Sequence, residues 1–463
     1  MKEKIPAIAI YDIGKTNKKL HVFNQDYELV YEKIENLPET FDDDGFPCED
    51  LAALTGFIKN SFKQLLLMEQ FDIHAVNFSA YGASLVYVDD EGLPIGTLYN
   101  YLKPFPLDLQ ERFYSENGGR ENFSLETASP VLGSLNSGLQ LYRTKIEHPE
   151  ILKKMQWALH LPGYLSFVFS GRASSEITSI GCHTGLWDFT KNEYHGWLAK
   201  EGLQDKLPPI IHASETVSLD HIQVGTGLHD SSAALIPYLM GISDPFLLVS
   251  TGTWCISLQP FNNVPLSAEE LKNDCLSYLS FQGKPVKASR IFSGHEHDEQ
   301  VKLISKYFQQ PSDHYKNVRF NIAMVKQMIK HDKSVSKSFD PVYDSNDLQQ
   351  SQFRHRDLND FKDFSEAYHR LLFDLAILQQ QSSQWVLNGA EVNDIYVDGG
   401  FSNNEIFMQL LAFVFRGKKL YAAALPQSSS LGAAMVIHTS WNKKPINNNL
   451  LRLRYYPFPE ELL

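Results

Sequence analysis

Ala7-Ile8-Ala9-Ile10-Tyr11 runs directly into Asp12-Ile13-Gly14-Lys15-Thr16-Asn17-Lys18, and a second apolar run follows at Leu20 to Phe23. Apolar run, small polar turn, apolar run is the pattern of a hairpin, not of a helix. The arrangement returns past the midpoint: Phe246-Leu247-Leu248-Val249, then Ser250-Thr251-Gly252-Thr253, then Cys255 to Leu258. Backbone N–H groups and hydroxyls of such a turn can converge on an anion. Two hairpins, one opening each half, predict two related lobes with a phosphate held between them.

The rest of the chain frames that expectation. A length of 463 residues exceeds one ordinary core, so two or three domains are expected. With 43% apolar and 21% charged residues, the composition is that of a folded globular protein. The 42 basic and 55 acidic residues leave a net charge of −13, which argues against nucleic acid as a partner. A phosphorylated ligand is still admissible, because backbone donors and one metal ion neutralise phosphate locally. Cys48, Cys182, Cys255 and Cys275 have neither metal-like spacing nor the density of a disulfide scaffold, so a reducing, cytoplasmic setting is expected. Lys2-Glu3-Lys4 precedes a short strand broken by Asp12, unlike a secretory signal. No apolar stretch approaches the ~18 residues of a membrane span.

Residues 7–35 read as strands turning at Asn24-Gln25-Asp26. Residues 51–68 read as an amphipathic helix with Leu54, Phe57, Ile58, Phe62, Leu65 and Leu66 on one face. Strands are expected over 73–78 and 85–88, and helix over 138–170, interrupted near Pro162-Gly163. Met240-Gly241-Ile242-Ser243-Asp244-Pro245 reads as a link between domains 1–243 and 244–463. Residues 333–352 read as a polar surface loop, 365–380 and 405–415 as helices, and 394–397 as a strand.

Four segments carry candidate chemistry. Asp12 at a strand end suits Mg²⁺, bound through water because Mg²⁺ dehydrates reluctantly, and Gly14 clears space where a phosphate would sit. The turn is neither a Walker A loop nor a dinucleotide fingerprint, since both need a helix after the glycines. Thr251-Gly252-Thr253 gains weight from its position one half-chain later. Asp230, in Gly227-Leu228-His229-Asp230, stands where a helix begins. It is read either as an N-cap or as a general base toward a substrate hydroxyl, with His229 as a second polar contact. Asp398-Gly399-Gly400-Phe401-Ser402-Asn403 is a strand end whose bare backbone suits a flat ring such as adenine, or else a tight strand-to-helix turn capped by Ser402 or Asn403.

In this order, the segments resemble the FGGY carbohydrate kinases of the actin-like superfamily, over nearly the whole chain. Asp12 to Lys18 is similar to the family's first phosphate motif, Gly227 to Asp230 to its catalytic-Asp segment and Ser250 to Thr253 to its second phosphate motif. Asp398 to Asn403 is similar to its adenosine motif, Leu431-Gly432-Ala433-Ala434 to its closing run, and Thr184-Gly185-Leu186-Trp187-Asp188 to its Thr-Gly-Leu-Phe-Asp stretch. The resemblance implies an α/β fold of two actin-like (ribonuclease H-like) lobes with a cleft between them. It implies ATP and Mg²⁺ as cofactors, a small sugar as substrate, and no nucleic-acid or membrane partner, with a homodimer left open.

The implied site residues follow from the same likeness. Asp230 would be the catalytic base and Asp12 the metal residue. Gly14, Lys15, Thr16, Asn17, Lys18, Thr251, Gly252, Thr253, Gly399, Gly400, Ser402 and Asn403 would hold nucleotide. Tyr81, Gly82, Ala83, Glu176, Thr178, His229 and Asp230 would face the sugar. Two departures stand out. Lys15 replaces a small or hydroxyl residue, and Leu98-Tyr99-Asn100-Tyr101-Leu102-Lys103 lacks the Asp and Arg of the family's Trp-x-Asp-x-Arg segment. Tyr99 and Tyr101 there predict an apolar wall suited to a methyl group. With the Gly14-x-Thr16-Asn17 turn and Phe339-Asp340-Pro341, this points to the rhamnulokinase and fuculokinase branch and a 6-deoxy-ketohexose. A ketopentose kinase and a non-catalytic nucleotide- or sugar-binding relative are the alternatives.

Overall fold

The computed structural model describes residues 3–331, 350–425, 427–447 and 449–462. Phe339-Asp340-Pro341 and most of the expected 333–352 loop lie outside the described residues. Ala7 to Tyr11 are fully buried, and their strand, Ile5–Ile13, is central in a seven-stranded sheet. It pairs antiparallel with Lys18–Asn24 and parallel with Phe71–Ala80. An unbroken apolar run, without alternation, is what a strand covered on both faces requires. Helix Leu51–Leu66 starts on Asp50, whose side chain accepts the Ala53 N–H at 2.8 Å, and buries Leu54, Phe57, Ile58, Phe62 and Leu65.

The second half repeats the scheme. Strand Phe246–Thr251 pairs antiparallel with Cys255–Gln259 and parallel with Asp394–Gly399, again inside a seven-stranded sheet. Helix Phe364–Leu387, capped by Asp363 on the Glu366 N–H at 2.9 Å, covers that sheet, and its apolar stripe joins the core of the second lobe. The hairpins therefore occupy equivalent places in two similar sheets.

Two helices cross between the sheets. Asp230–Gly241 leads out of the first half, and Ser428–Val436, late in the second half, packs against it and onto the strands Ile5–Ile13 and Phe71–Ala80. Gly432 permits the crossing: a Cβ there would stand 1.8 Å from the Ala233 carbonyl oxygen. Leu431, Ala433 and Ala434 consequently share a core with Ile8, Ile10 and Leu228. A cut at 243 separates the two sheets in sequence, and this helix from the second half also packs on the sheet of the first.

The expected helix over 138–170 is resolved differently. It comprises helix Ser137–Glu147, a short helix Pro149–Lys154, strand Trp157–His160 and helix Leu161–Ser170. The strand pairs with Leu85–Val88, so tertiary pairing decides a short apolar run whose period is ambiguous. Pro162 starts the last helix, where its missing N–H costs nothing.

Candidate active site

Both lobes and the late helix meet at a cavity of about 270 Å³ lined by Asp12, Gly14, Asp230, Ser231, Ser250 and Ser429, among others. Asp12 is the last residue but one of strand Ile5–Ile13. Burial, and next the charge of Asp230, push its carboxyl up to about 6, against the opposing charge of Lys19 and the hydroxyl of Ser429. The hydroxyl-rich run at 428–430 lies outside every segment singled out in the sequence. A Ser triplet at a helix start was the one available signal.

Asp230 is the first helical residue, and His229 occupies the cap position without a side-chain cap bond. The Asp230 carboxylate accepts the Ser231 N–H at 2.6 Å, a local contact that does not cap the turn, which removes the N-cap reading. A chain of buried groups sets its place. The His229 N–H donates to the Thr178 hydroxyl at 3.1 Å, and that hydroxyl donates to Glu176 at 2.5 Å. Glu176 also accepts the Thr178 and Ser179 N–H groups, and burial raises its carboxyl to about 7. Glu176 and Thr178, expected to face the sugar, thus bond to each other and to the backbone beside Asp230. The His229 ring lies 3.3 Å from Asp230 through Nε2, and burial lowers its pKa while Asp230 pulls it up.

The first turn closes through the Gly14 N–H on the Asn17 carbonyl at 3.1 Å, leaving Thr16 and Asn17 exposed. Lys15 reaches Glu39 at 2.5 Å. Lys18, expected at the phosphate, is only 2% exposed. Its ammonium pairs with Glu49 at 2.5 Å and donates to the Gly14 and Lys15 carbonyls, bracing the turn from beneath. Such a charge stays inside because it is both paired and hydrogen-bonded.

The second turn is locked to the end of strand Asp394–Gly399. The Thr251 hydroxyl donates to the Asp398 carbonyl and accepts the Phe401 N–H, so it is engaged internally and is not turned toward a phosphate. Gly399 has φ +81°, and a Cβ there would lie 1.8 Å from the Thr251 carbonyl oxygen. Ser402 is likewise internal, donating to the Gly399 carbonyl at 2.8 Å. Gly252, Thr253, Gly400 and Asn403 instead line a cavity of about 530 Å³ with His297, Tyr315, Lys316 and Phe401. A Cβ on Gly400 would meet nothing within 4 Å, so its face is open to the cavity. Tyr315 and Lys316 carry no motif, and no sequence signal marked them.

On the sugar side, Gly82 is pressed against His229: a Cβ would stand 2.7 Å from its Cδ2. Ala83 is buried and offers its carbonyl to Gln140 at 2.7 Å. Tyr81 donates to Glu49 at 3.2 Å and meets Tyr101 edge-on at 5.6 Å. Tyr99 does not join an apolar wall. Its hydroxyl donates to Asp43 at 3.3 Å and its ring lies under the Lys103 ammonium at 4.4 Å. Lys103 in turn pairs with Asp42 and Asp44, each at 2.6 Å, and this acidic run holds Tyr99 away from the expected role.

Residues 7–236 match the N-terminal domain of the FGGY family of carbohydrate kinases, and residues 243–445 match the carbohydrate kinase FGGY C-terminal domain. A rhamnulokinase of Halalkalibacterium halodurans is 25% identical over 258 residues, 53% of this chain and 52% of that protein. The chain spans about half the length of the curated relatives it matches. A carbohydrate kinase from Novosphingobium aromaticivorans superposes with TM-score 0.81 at 21% identity, covering 98% of this chain and 95% of that one. A ligand-bound xylulose kinase from Lactobacillus acidophilus follows with TM-score 0.77 at 13% identity, covering 98% and 94%. At these identities the likeness establishes the two-lobed actin-like fold. The two domain matches together run through both lobes, and the chain belongs to the FGGY family of carbohydrate kinases.

Proposed function

We propose that this protein transfers the terminal phosphoryl group of ATP, with Mg²⁺, to a hydroxyl of a small sugar, a ketose of the L-rhamnulose or L-fuculose kind. One observation carries the reading: Asp12, Asp230 and the first hairpin turn share one cavity with Ser250 of the second hairpin. Asp230 takes the proton of the attacking hydroxyl, and His229, Thr178 and Glu176 hold it in place. Two half-buried carboxylates lining one cavity repel each other, and a divalent cation removes that repulsion, so the pair fits Mg²⁺. Asp12 would hold the ion through water. Bound Mg²⁺ supplies positive charge against the phosphates. Backbone N–H groups of the two turns position the phosphates, and the open face of Gly400 accepts the adenine ring.

The curated relatives named rhamnulokinase favour a 6-deoxy-ketohexose. A ketopentose is the second reading, favoured by the capture of Tyr99 by Asp43, which removes half of the expected methyl wall. Release of ADP upon adding L-rhamnulose, L-fuculose, L-ribulose, D-xylulose or glycerol tests both. Absence of sugar-dependent ADP with every acceptor overturns the kinase reading in favour of a non-catalytic binder. A best acceptor lacking the 6-methyl group by more than about tenfold overturns the 6-deoxy preference.

A further inference from the structure

Three buried histidines, His160, His183 and His229, lie near one another, with His229 against Asp230, and they differ in what their rings hold. The His160 ring meets the Ser137 hydroxyl at 3.0 Å. The His229 ring is engaged by Ser232 and Asp230. His183 is 8% exposed, and neither ring nitrogen has a partner among the described residues. Its ring lies 6.0 Å from the His229 ring and 6.1 Å from Tyr278 of the second lobe. Its neighbour Cys182 packs on Gly82, in the turn that faces His229.

The same short stretch has other idle atoms. Glu176 Oε1 and Ser179 Oγ are buried and also lack partners among the described residues. A buried polar atom without a partner is costly, and such groups call for an explanation when they cluster. Here they fall within residues 176–183, whose Thr178 and His183 adjoin His229, the residue before Asp230. Burial holds the His183 pKa well below its ordinary value, so the ring is neutral. A neutral imidazole has one donor and one acceptor nitrogen, the complement of a hydroxyl or a vicinal diol.

We propose that His183 is a specificity-determining residue that hydrogen-bonds a second hydroxyl of the acceptor, next to the one deprotonated by Asp230. This rests on the sugar-kinase reading and names the ring that reads the substrate. Its neighbours Glu176 and Ser179 position the stretch. This contact requires a polyhydroxylated acceptor with a hydroxyl close to the reacting one, and it discriminates against a chain deoxygenated there. Leaving a buried polar group unpaired is what makes such a site selective.

The test compares wild type with His183→Phe, which keeps ring volume and removes both nitrogens, and with His183→Gln, which restores one polar atom. Binding of L-rhamnulose and of its 3-deoxy and 4-deoxy derivatives is measured by calorimetry, alongside KM and kcat. Wild type is expected to bind one deoxy derivative at least tenfold more weakly than the parent. His183→Phe is expected to lose that discrimination and raise the sugar KM at least tenfold, with the ATP KM unchanged and thermal stability equal or higher. His183→Gln is expected to recover part of the discrimination. Unchanged discrimination in His183→Phe overturns the proposal, as does an equal loss on all acceptors with a lowered Tm, the mark of a structural role. Sugar binding without turnover in wild type overturns the kinase reading but leaves this contact standing if the discrimination depends on His183. No sugar binding at all in wild type overturns both.

Discussion

The hydroxyl of Thr178 accepts the backbone N–H of His229 at 3.1 Å, tying a buried helix start to the residue before Asp230. The same hydroxyl donates to Glu176, so one side chain connects two backbone segments. Thr178→Val keeps the shape but leaves the buried His229 N–H without its partner. The expected cost is about 1–3 kcal/mol of stability. A fall in kcat larger than any change in the ATP KM is expected beside it. Denaturant titration and steady-state kinetics on the one variant check both.

Asp230→Asn keeps the shape and the local contact to Ser231 but removes the proposed base. Turnover is expected to fall by roughly 10²–10⁴, with stability nearly unchanged because the carboxylate is not the cap of its helix. Near-parental turnover would mean that another group accepts the proton.

Asp12, the proposed metal residue, also responds to pH. Its carboxyl is raised from 3.8 to about 6, so the folded protein holds that proton more tightly than the unfolded chain. The resulting stability is full at low pH and is lost as pH climbs through about 6. Asp12→Asn is therefore expected to raise the Tm of the metal-free protein at pH 7.5 and to change it little at pH 4. Mg²⁺ is expected to stabilise wild type at pH 7.5, less at pH 5, and not to stabilise the variant. Superimposable Mg²⁺ titrations of activity in both proteins would reduce Asp12 to a turn residue.

The adjacent glycines Gly399 and Gly400 are expected to answer differently. Gly400→Val projects into the 530 Å³ cavity without a clash, so a folded protein with an ATP KM raised roughly tenfold or more is expected. Gly399→Ala meets the Thr251 carbonyl and a glycine-only backbone conformation, so a loss of roughly 2–4 kcal/mol is expected. Thermal unfolding separates the two, and an unchanged ATP KM in Gly400→Val would move the adenine elsewhere.

The hairpins were legible because both are short and local: Asp12 to Lys18 and Ser250 to Thr253 carry their turn chemistry within a few residues. Side-chain direction was not. Lys18 reads as a cation in a phosphate turn until Glu49, more than thirty positions away, is seen to hold it. Thr251 reads as a phosphate hydroxyl until Asp398 and Phe401 are seen to consume it. Tyr99 and Trp157–His160 fail for the same reason, since their partners lie at Asp43 and Leu85–Val88. Periodicity reports which face is apolar, but not what will cover it.

The helix Ser428–Val436 sits on the sheet of the first half, with Gly432 against Ala233. The halves are consequently not autonomous modules joined by a link. A fragment ending at 243 would bare Ile8, Ile10 and Leu228, and the complementary fragment would carry the missing cover. Produced together from separate genes, the two pieces should find each other and reconstitute one particle, while each alone should aggregate. The family's fold thus has the makings of a split reporter whose reassembly is read out by its own chemistry.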